Sequence, residues 1–247
     1  QKLARLTVAG FVDETASESP APGGGSVAAL VGAMGAALGT MVANLSAHKR
    51  GWDERWEEFS GWAEKGQRIK DELLRLVDED TRAFDRVMAA LGMPKSTDAE
   101  KSARSAALAA ANLGALQVPW QVMQTAFGAF ELIGAMAEQG NPASASDAGV
   151  GALCTRAAIR GAWLNVRTNA SGVKDKAAIE QIMKDGARMD ADAARLGEEP
   201  SRGEREVGGA RGGLGECVPR AGRWEERPGG GAERARRAAL HGRGLGR

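Results

Sequence analysis

Apolar residues recur at spacings of three and four along most of the chain, the pattern of α-helices that bury one face. No convincing alternation of period two, which would indicate a β-strand, is found in the sequence. Helical patterns cover residues of about 3–18, 26–49, 52–91, 97–139 and 147–169, and a last one surrounds residues 179–183. We therefore predict an all-α fold, a helical bundle of about five to six helices.

Glycine, proline and capping residues mark where these helices end. Gly51 interrupts the pattern between the second and third helices, and Gly92 ends the third. Thr97 is followed three residues later by Glu100, the spacing of a capping box that starts a helix. Pro119 lies inside that helix, so we expect a kink or a break there.

The composition changes abruptly at about residue 198 and divides the chain into a helical domain, 1–197, and a tail, 198–247. The tail is dominated by Gly, Arg and Glu, and its few apolar residues cannot form a core. We predict that the tail is disordered or is an out-of-frame reading of GC-rich coding sequence. A basic tail that tethers RNA is an alternative, which the mixture of Glu with Arg and the scarcity of aromatic residues disfavour.

Charge and cysteine content limit the partners of the protein. The formal net charge of +1 gives no general attraction to nucleic acid or to an anionic membrane. The only cysteines, Cys154 and Cys217, are far apart and lack metal-site spacing, which indicates a reducing compartment, so we predict a cytoplasmic location. With only two histidines, His48 and His241, a multi-histidine metal centre is not expected, and we predict no metal site.

One segment, residues 26–45, carries no charge and is long enough to cross a membrane. It consists mostly of Ala and Gly, which gain little in lipid, and it lacks the aromatic residues that mark membrane interfaces. We therefore predict a helix buried inside a soluble bundle, where small residues allow helices to approach closely, and no insertion into a membrane.

A glycine-rich loop precedes that helix and is the first candidate site. Residues 17–26 contain two prolines, the glycines Gly23, Gly24 and Gly25, and Ser26 at the expected position of a helix N-cap. Because glycines lack a Cβ, a ligand can approach the backbone closely, and free N–H groups at a helix start attract anions or carbonyl oxygens. The alternative is a tight turn that only caps a core helix.

Two aspartates are candidate acid or base groups. Asp80 lies on the apolar stripe of the third helix, one turn after Leu76 and one before Phe84. Burial of a carboxylate raises its pKa, which suits general acid–base catalysis near neutral pH. Asp147 closes a second polar loop and opens a helix. Either could instead be structural, Asp80 by bonding a backbone N–H or an arginine and Asp147 through the helix dipole.

Further polar residues stand where they could contact a ligand. Asn141 and Ser146 lie in the second loop with Asp147, where polar groups could bind a heterocycle. Lys49 and Arg50 follow a helix C-terminus, where cations are favoured in any case, and they could recognise a carboxylate. The remaining binding candidates are amides that could hold a polar ligand or tie helices together, Asn44 and Asn165.

Six motifs, in order along the chain, resemble the cyclodeaminase domain of the formiminotransferase-cyclodeaminases, to which stand-alone methenyltetrahydrofolate cyclohydrolases are related. They are FV at 11–12, SPAPGGGS at 19–26, DEDTRAF at 78–84, GNP at 140–142, SDAGV at 146–150 and LNVR at 164–167. The resemblance covers about residues 3–195 and implies an all-helical bundle that forms a homodimer with folate bound near the dimer interface. A formiminotransferase domain could precede this one, which would suit a chain that starts at Gln1.

The resemblance also implies conversion of 5-formiminotetrahydrofolate to 5,10-methenyltetrahydrofolate with release of ammonia, in histidine degradation and one-carbon metabolism. N10 of the folate would attack the formimino carbon, a base would take the N10 proton, and an acid would protonate the departing amine. One carboxylate could serve both steps, and Asp80 is the first expectation for it, with Asp147 second.

On this interpretation the glycine loop and Ser26 would hold the pterin or the reacting centre. Lys49 and Arg50 would meet the glutamate tail of a folate that is either monoglutamylated or polyglutamylated. No cofactor beyond the tetrahydrofolate substrate is expected. Two alternatives stay open, a cyclohydrolase that acts on 5,10-methenyltetrahydrofolate with water and a non-catalytic helical interaction module.

Overall fold

The structure, a computed structural model, describes residues 2–197, and this part of the chain contains helices and no strand. Seven α-helices follow one another in it: α1 (Val8–Thr15), α2 (Gly24–Ala47), α3 (Trp56–Leu91), α4 (Asp98–Phe127), α5 (Ala129–Gln139), α6 (Ala145–Ala170) and α7 (Glu180–Leu196). Short 3₁₀ turns precede α1, α3, α6 and α7. The all-α prediction is confirmed, and the expectation for the tail lies outside the described residues.

Helix α2 is the central element, because α3, α5 and α6 all pack against it. Fourteen of its 24 residues are buried, and nearly all of them are Gly, Ala, Ser or Thr, which allow neighbouring helices to approach closely. It is the one helix of residues 2–197 that is long and apolar enough to cross a membrane, with a mean hydropathy of 1.8. However, 61% of that segment is buried by the other helices, as in the core of a bundle.

Larger side chains fill the space around α2. At the end where α2 begins, Leu76 of α3, Met123 of α4 and Ile159 of α6 are fully buried in one cluster. At the other end, Phe59 of α3 and Leu132 of α5 belong to a smaller cluster. Burying a side chain of this size contributes about 1.5–3 kcal/mol each, so these contacts fix α3, α4 and α6 around α2.

Several helix boundaries follow the sequence signals. Thr97 Oγ1 accepts the backbone N–H of Glu100 at 3.2 Å, and the Glu100 carboxylate accepts that of Thr97 at 2.9 Å, so the predicted capping box is present. Helix α3 ends before Gly92 as expected. Gly51 has a φ of +84° in the turn between α2 and α3, a conformation that favours glycine.

The structure contradicts the predicted N-cap of α2 and a break of α4 at Pro119. The N-cap of α2 is Gly23, whereas Ser26 lies in the third helical position, where its side chain turns toward α3. Pro119 does not interrupt α4, because it and its neighbour Val118 are buried in the core and packing keeps the helix continuous. The break comes instead at Gly128, between α4 and α5.

Near the N-terminus, only some of the apolar residues that the helical pattern selects are buried. Phe11 is buried, and Leu3 and Leu6 pack against the main core. Val12 is 59% exposed, because α1 is short and presents only one residue to the bundle. The segment therefore covers the side of the bundle without building its centre.

Candidate functional site

A cavity of about 390 Å³ opens where α2 begins, between the middle of α3, the middle of α4 and the end of α6. Its wall includes the loop before α2, with Pro20, Ala21, Gly23 and Gly24, and the side chain of Asp80. The opposite wall is polar and is formed by Asn112, Asn165, Thr168, Asn169 and Ser171. A volume of this size is typical of small-molecule sites.

The first turn of α2 contacts the carboxylate of Asp80. The hydroxyl of Ser26, itself fully buried, lies 2.9 Å from Asp80 Oδ2 and 3.1 Å from the carbonyl oxygen of Val77. A hydroxyl has one hydrogen to donate and can also accept. Ser26 can therefore donate to the charged carboxylate, or donate to Val77 and accept the proton of the neutral acid, so both states of Asp80 are satisfied.

Gly25 is required beside this carboxylate. A Cβ at residue 25 would overlap the carboxyl group of Asp80, and Gly25 has a negative φ, so close approach is the reason for glycine here. The neighbouring Gly24 lies against the side-chain amide of Asn165, with space for a Cβ at ordinary contact distance. Neither residue adopts a left-handed conformation.

Burial raises the pKa of Asp80 above the ordinary value of an aspartate. The hydroxyl and the backbone N–H of Ser26 act in the opposite direction, because both donate to the charged form. The balance leaves a carboxylic acid that holds its proton more tightly than a solvated one while remaining at the wall of an open cavity. This is the environment expected of a general acid or base.

Three asparagines face the same cavity with their side-chain amides anchored. The amide nitrogen of Asn165 donates to the carbonyl of Gly161, that of Asn169 to Ala115, and that of Asn112 to Gly172, at 2.7–3.1 Å. Their Oδ1 atoms accept no hydrogen bond within residues 2–197. The cavity therefore offers fixed acceptor oxygens to a ligand that carries N–H groups.

Half of the residues predicted from sequence meet at this cavity. Asp80, Gly23, Gly24 and Asn165 line it, and Gly25 and Ser26 contact Asp80 directly. The residues selected from the apolar stripe of α3 and from the glycine loop thus lie at the same cavity. Their roles toward a ligand stay predictions.

The other half lies at the opposite end of the bundle: Asn44, Lys49, Arg50, Asn141, Ser146 and Asp147. Helices α2 and α6 run antiparallel, and the 19 residues from Ser146 to Asn165 on α6 correspond to about 28 Å at 1.5 Å per residue. Within one chain these residues therefore do not meet Asp80, and their roles toward a ligand stay predictions. The sequence shows that these residues lie near helix ends, but it does not show which helix ends lie together in the fold.

Some of these distant residues have structural partners. The backbone N–H of Asn141 donates to the buried hydroxyl of Ser46 at 2.8 Å, which fixes the second loop to the end of α2. The ammonium group of Lys49 lies 4.0 Å from the centre of the Trp52 ring. Asn44 borders a separate cavity of about 380 Å³ with His48 and Met41. Asp147 lies half-exposed in the first turn of α6.

Sequence reasoning did not select all of the cavity's residues. Asn112 was missed, although an asparagine inside the alanine-rich pattern of α4 is a detectable signal. Asn169 lies one turn after Asn165 on the same side of α6, a spacing that marks the two as a pair, although only Asn165 was selected as a binding residue. Thr81, which also borders the cavity, has a buried Oγ1 that makes no hydrogen bond within the described residues. No group of three or more His, Cys, Asp or Glu residues positioned for a metal occurs between residues 2 and 197.

A half-buried carboxylate, the start of a core helix and a wall of anchored amides define a small-molecule site suited to proton transfer. The chain belongs to the formiminotransferase-cyclodeaminase family, because the family model with that description matches residues 7–188. The family comprises folate one-carbon enzymes of the cyclodeaminase and cyclohydrolase type.

Individual relatives and a solved structure agree with this assignment. A methenyltetrahydrofolate cyclohydrolase of Methylorubrum extorquens is 40% identical over 192 residues, which are 78% of this chain and 92% of that protein. A formimidoyltransferase-cyclodeaminase of Gallus gallus is 36% identical over 67% of this chain, but the match spans only 31% of that longer protein. The crystal structure of formiminotetrahydrofolate cyclodeaminase from Thermotoga maritima superimposes with a TM-score of 0.66 and 28% identity, covering 82% of this chain and 96% of that one.

Proposed function

We propose that the cavity binds tetrahydrofolate and that Asp80 transfers protons at the one-carbon unit carried by N5 and N10. The observation that carries this proposal is the half-buried Asp80 carboxyl, which has a raised pKa, bonds Ser26 and opens on a cavity walled by asparagines. The folate assignment is supported by the family and by the names of its relatives. No cofactor beyond the folate is needed for this chemistry.

The first candidate reaction is hydrolysis of 5,10-methenyltetrahydrofolate. It is favoured by the cyclohydrolase of M. extorquens, which is 40% identical over 92% of its length. Water would attack the methenyl carbon while the Asp80 carboxylate takes a proton from that water. The protonated Asp80 would then return that proton to the nitrogen whose bond to the carbon breaks. The hydroxyl formed from water would lose its remaining proton to solvent, so that a formyl group remains on the other nitrogen.

The second candidate is cyclodeamination of 5-formiminotetrahydrofolate, which the named activity of the T. maritima structure favours. N10 would attack the carbon of the protonated formimino group and lose its proton to Asp80, which leaves a neutral amine on that carbon. The same proton would then pass to the departing amine, which leaves as ammonia and gives 5,10-methenyltetrahydrofolate. Both reactions use one carboxyl group first as base and then as acid, so the geometry serves either substrate.

The remaining residues of the cavity position the substrate. The Oδ1 atoms of the three asparagines would accept hydrogen bonds from the N–H groups of the pteridine ring. The backbone N–H groups at the start of α2 that precede Ser26 would face a carbonyl oxygen or the polarised one-carbon unit. Phe84 and Val87 supply apolar wall for the rings.

One pair of assays decides between the candidates. The purified chain is mixed with 5,10-methenyltetrahydrofolate and the loss of its absorbance is followed; separately, it is mixed with 5-formiminotetrahydrofolate and both the methenyl product and ammonia are measured. The Asp80→Asn variant serves as the control in each. Turnover in neither assay by a folded protein would overturn the proposal and leave a non-catalytic helical module.

A homodimer is part of the proposal. Large apolar side chains are exposed in a row on α2, at Met34, Met41 and Leu45, and in a second row on the adjacent α6, at Val150, Leu153 and Leu164. Rows of this kind on a folded chain are typical of a surface that another protein covers. We propose that a second copy of this chain covers them. Sedimentation of Leu153→Asp should then show a monomer where the parent chain shows a dimer.

The dimer gives the distant residues a role. Leu164 on the exposed row of α6 adjoins Asn165, and Leu45 on that of α2 adjoins Asn44, so the rows connect the two ends of the bundle. A second copy seated there would bring its own second loop toward the cavity. Asp147 of the partner subunit would then complete the site that Asp80 begins.

A further inference from the structure

Thr81 directly follows Asp80 on α3, and it borders the same cavity. Its side chain is half-buried, and its Oγ1 atom is buried without a hydrogen-bond partner among the described residues. A buried hydroxyl that makes no hydrogen bond costs free energy, so its presence at a site calls for an explanation. The proton transfers of Asp80 do not by themselves require this hydroxyl.

The other hydroxyl groups that border the cavity are already engaged. Thr168 Oγ1 donates to the carbonyl oxygen of Leu164 at 3.0 Å, and Ser171 Oγ donates to that of Thr168 at 2.7 Å. Of the serine and threonine side chains that border the cavity, Thr81 alone has no hydrogen bond within residues 2–197. Its hydroxyl is therefore available to a group that enters the cavity.

The Thr81 hydroxyl can change its direction by rotation about a single bond. Threonine in an α-helix divides between two rotamers, because its hydroxyl can also donate to the carbonyl oxygen four residues earlier. For Thr81 that carbonyl belongs to Val77, which the Ser26 hydroxyl releases when it donates to the charged Asp80. Since no hydrogen bond to the described residues holds Thr81 in its present rotamer, the rotation breaks none. Once its hydrogen is given to Val77, Oγ1 keeps lone pairs that can accept from another donor.

We propose that Thr81 positions the water that attacks the one-carbon unit in the hydrolysis of 5,10-methenyltetrahydrofolate. The inference rests on the proposed function, because the folate must bind beside Asp80. Adjacent Cα atoms are about 3.8 Å apart, so the Asp80 carboxylate and the Thr81 hydroxyl are within reach of one water molecule in the cavity that both border. The carboxylate accepts one hydrogen of this water and Thr81 Oγ1 accepts the other, which directs a lone pair of the water toward the methenyl carbon.

The attack balances without a proton on Thr81. As the new C–O bond forms, Asp80 takes one proton of the water, and the electron pair of the C=N bond moves to the positively charged nitrogen. The hydrogen that Thr81 accepts stays on the new hydroxyl group until that group loses it to solvent. Cyclodeamination has no attacking water, because N10 is its nucleophile. Thr81 is therefore expected to matter for one of the two candidate reactions and not for the other.

The test replaces Thr81 with Val, which keeps the shape of the side chain without the hydroxyl, and with Ser, which keeps the hydroxyl. Thr81→Val should lower kcat for hydrolysis of 5,10-methenyltetrahydrofolate about tenfold, as loss of one hydrogen bond to the water would give, with KM unchanged within about twofold. Thr81→Ser should keep most of the parent kcat. If Thr81→Val hydrolyses at the parent rate, or if its KM rises while kcat stays the same, Thr81 does not position the water.

A stability measurement separates this role from a merely structural one. Because Oγ1 of Thr81 has no partner in the described part of the folded chain, Thr81→Val should have a Tm equal to or above that of the parent. A lower Tm together with a lower kcat would assign the loss to the fold and overturn the proposal. The matched control is Thr155→Val on α6, which also removes a buried hydroxyl that has no partner among residues 2–197 but does not border the cavity. It should leave kcat and KM unchanged.

The second substrate distinguishes this inference from the proposed function. Thr81→Val should release ammonia from 5-formiminotetrahydrofolate at the rate of the parent chain, whereas Asp80→Asn should be impaired in both reactions. A parent chain that catalyses only the ammonia-releasing reaction, and needs Asp80 for it, would reject the role of Thr81 and retain the proposed function. Hydrolysis that is slowed in Thr81→Val but not in Asp80→Asn would retain Thr81 and reject the acid–base role of Asp80.

Discussion

The hydroxyl of Ser26, in the first turn of α2, lies 2.9 Å from the carboxylate of Asp80 in the middle of α3. The two residues are 54 positions apart, and their contact joins the glycine-rich loop to the apolar stripe of α3. Because the Ser26 hydroxyl also lies within hydrogen-bond distance of the carbonyl oxygen of Val77, it can hydrogen-bond to Asp80 in both protonation states of that carboxyl group. This pair is the centre of the catalytic role that we propose for the cavity.

Replacing Asp80 with Asn should lower kcat by about a hundredfold or more in whichever folate assay the parent chain is active, as expected for loss of a general acid–base group. Unfolding measurements on the same variant supply the control. Near-normal turnover by Asp80→Asn would remove the catalytic role.

Asp80→Asn should also change how the stability of the protein depends on pH. Burial raises the pKa of Asp80 in the folded state, so the folded chain binds this proton more tightly than the unfolded chain. Stability is therefore lost as the pH rises from the ordinary carboxyl pKa, about 4, through the raised value. Asp80→Asn removes that loss, so its Tm relative to the parent should be equal or higher at pH 7, and the difference should shrink below about pH 4. A Tm deficit at pH 7 would mark Asp80 as a structural residue instead.

Ser26→Ala should shift the pH dependence of the reaction. The hydroxyl of Ser26 lowers the pKa of Asp80, so removing it raises that pKa and moves the acidic limb of the rate profile to higher pH. Activity at neutral pH should fall about tenfold and recover in part as the pH is raised. Thr40→Val is the matched control, because it removes a buried hydroxyl of the same helix that bonds only within α2. If the pH–rate profile of Ser26→Ala matches that of the parent chain, Ser26 does not tune the pKa of Asp80.

Gly25→Ala tests whether the close approach of the first turn of α2 to the Asp80 carboxyl group is needed for activity. The added methyl group would displace the carboxyl of Asp80, so we expect about a hundredfold loss of activity, because misplacement by about 1 Å has that scale of effect. Gly61→Ala on α3 is the control, since no atom lies within 4 Å of its added Cβ. That control should stabilise the chain by about 0.5–1 kcal/mol without changing turnover. Full activity in Gly25→Ala would show that the carboxyl tolerates displacement.

Local rules of sequence were sufficient for the fold and for the half of the predicted site residues that lie at one cavity. Periodicity and the Thr97 capping box predict helices because these depend on neighbours three and four positions apart. Asp80 was detectable because a charged residue on an apolar stripe is anomalous. The separation of Asp147 from Asp80 was not, because it depends on the antiparallel packing of α2 and α6, which no local pattern encodes. For the same reason Pro119 was given too much weight, since burial outweighed its local preference.

A mixing experiment tests whether Asp147 of the partner subunit completes the site. Asp80→Asn and Asp147→Asn should each be nearly inactive alone, because every site in either homodimer lacks one carboxylate. After the two variants are unfolded together and refolded as a mixture, half of the dimers should be mixed, and each should contain one intact site. Activity should therefore recover to about a quarter of the parent value. Leu153→Asp added to both variants should abolish the recovery, since it prevents the dimer. If mixing restores nothing while sedimentation shows mixed dimers, Asp147 acts within its own chain or not at all, and the catalytic chemistry rests on Asp80 alone.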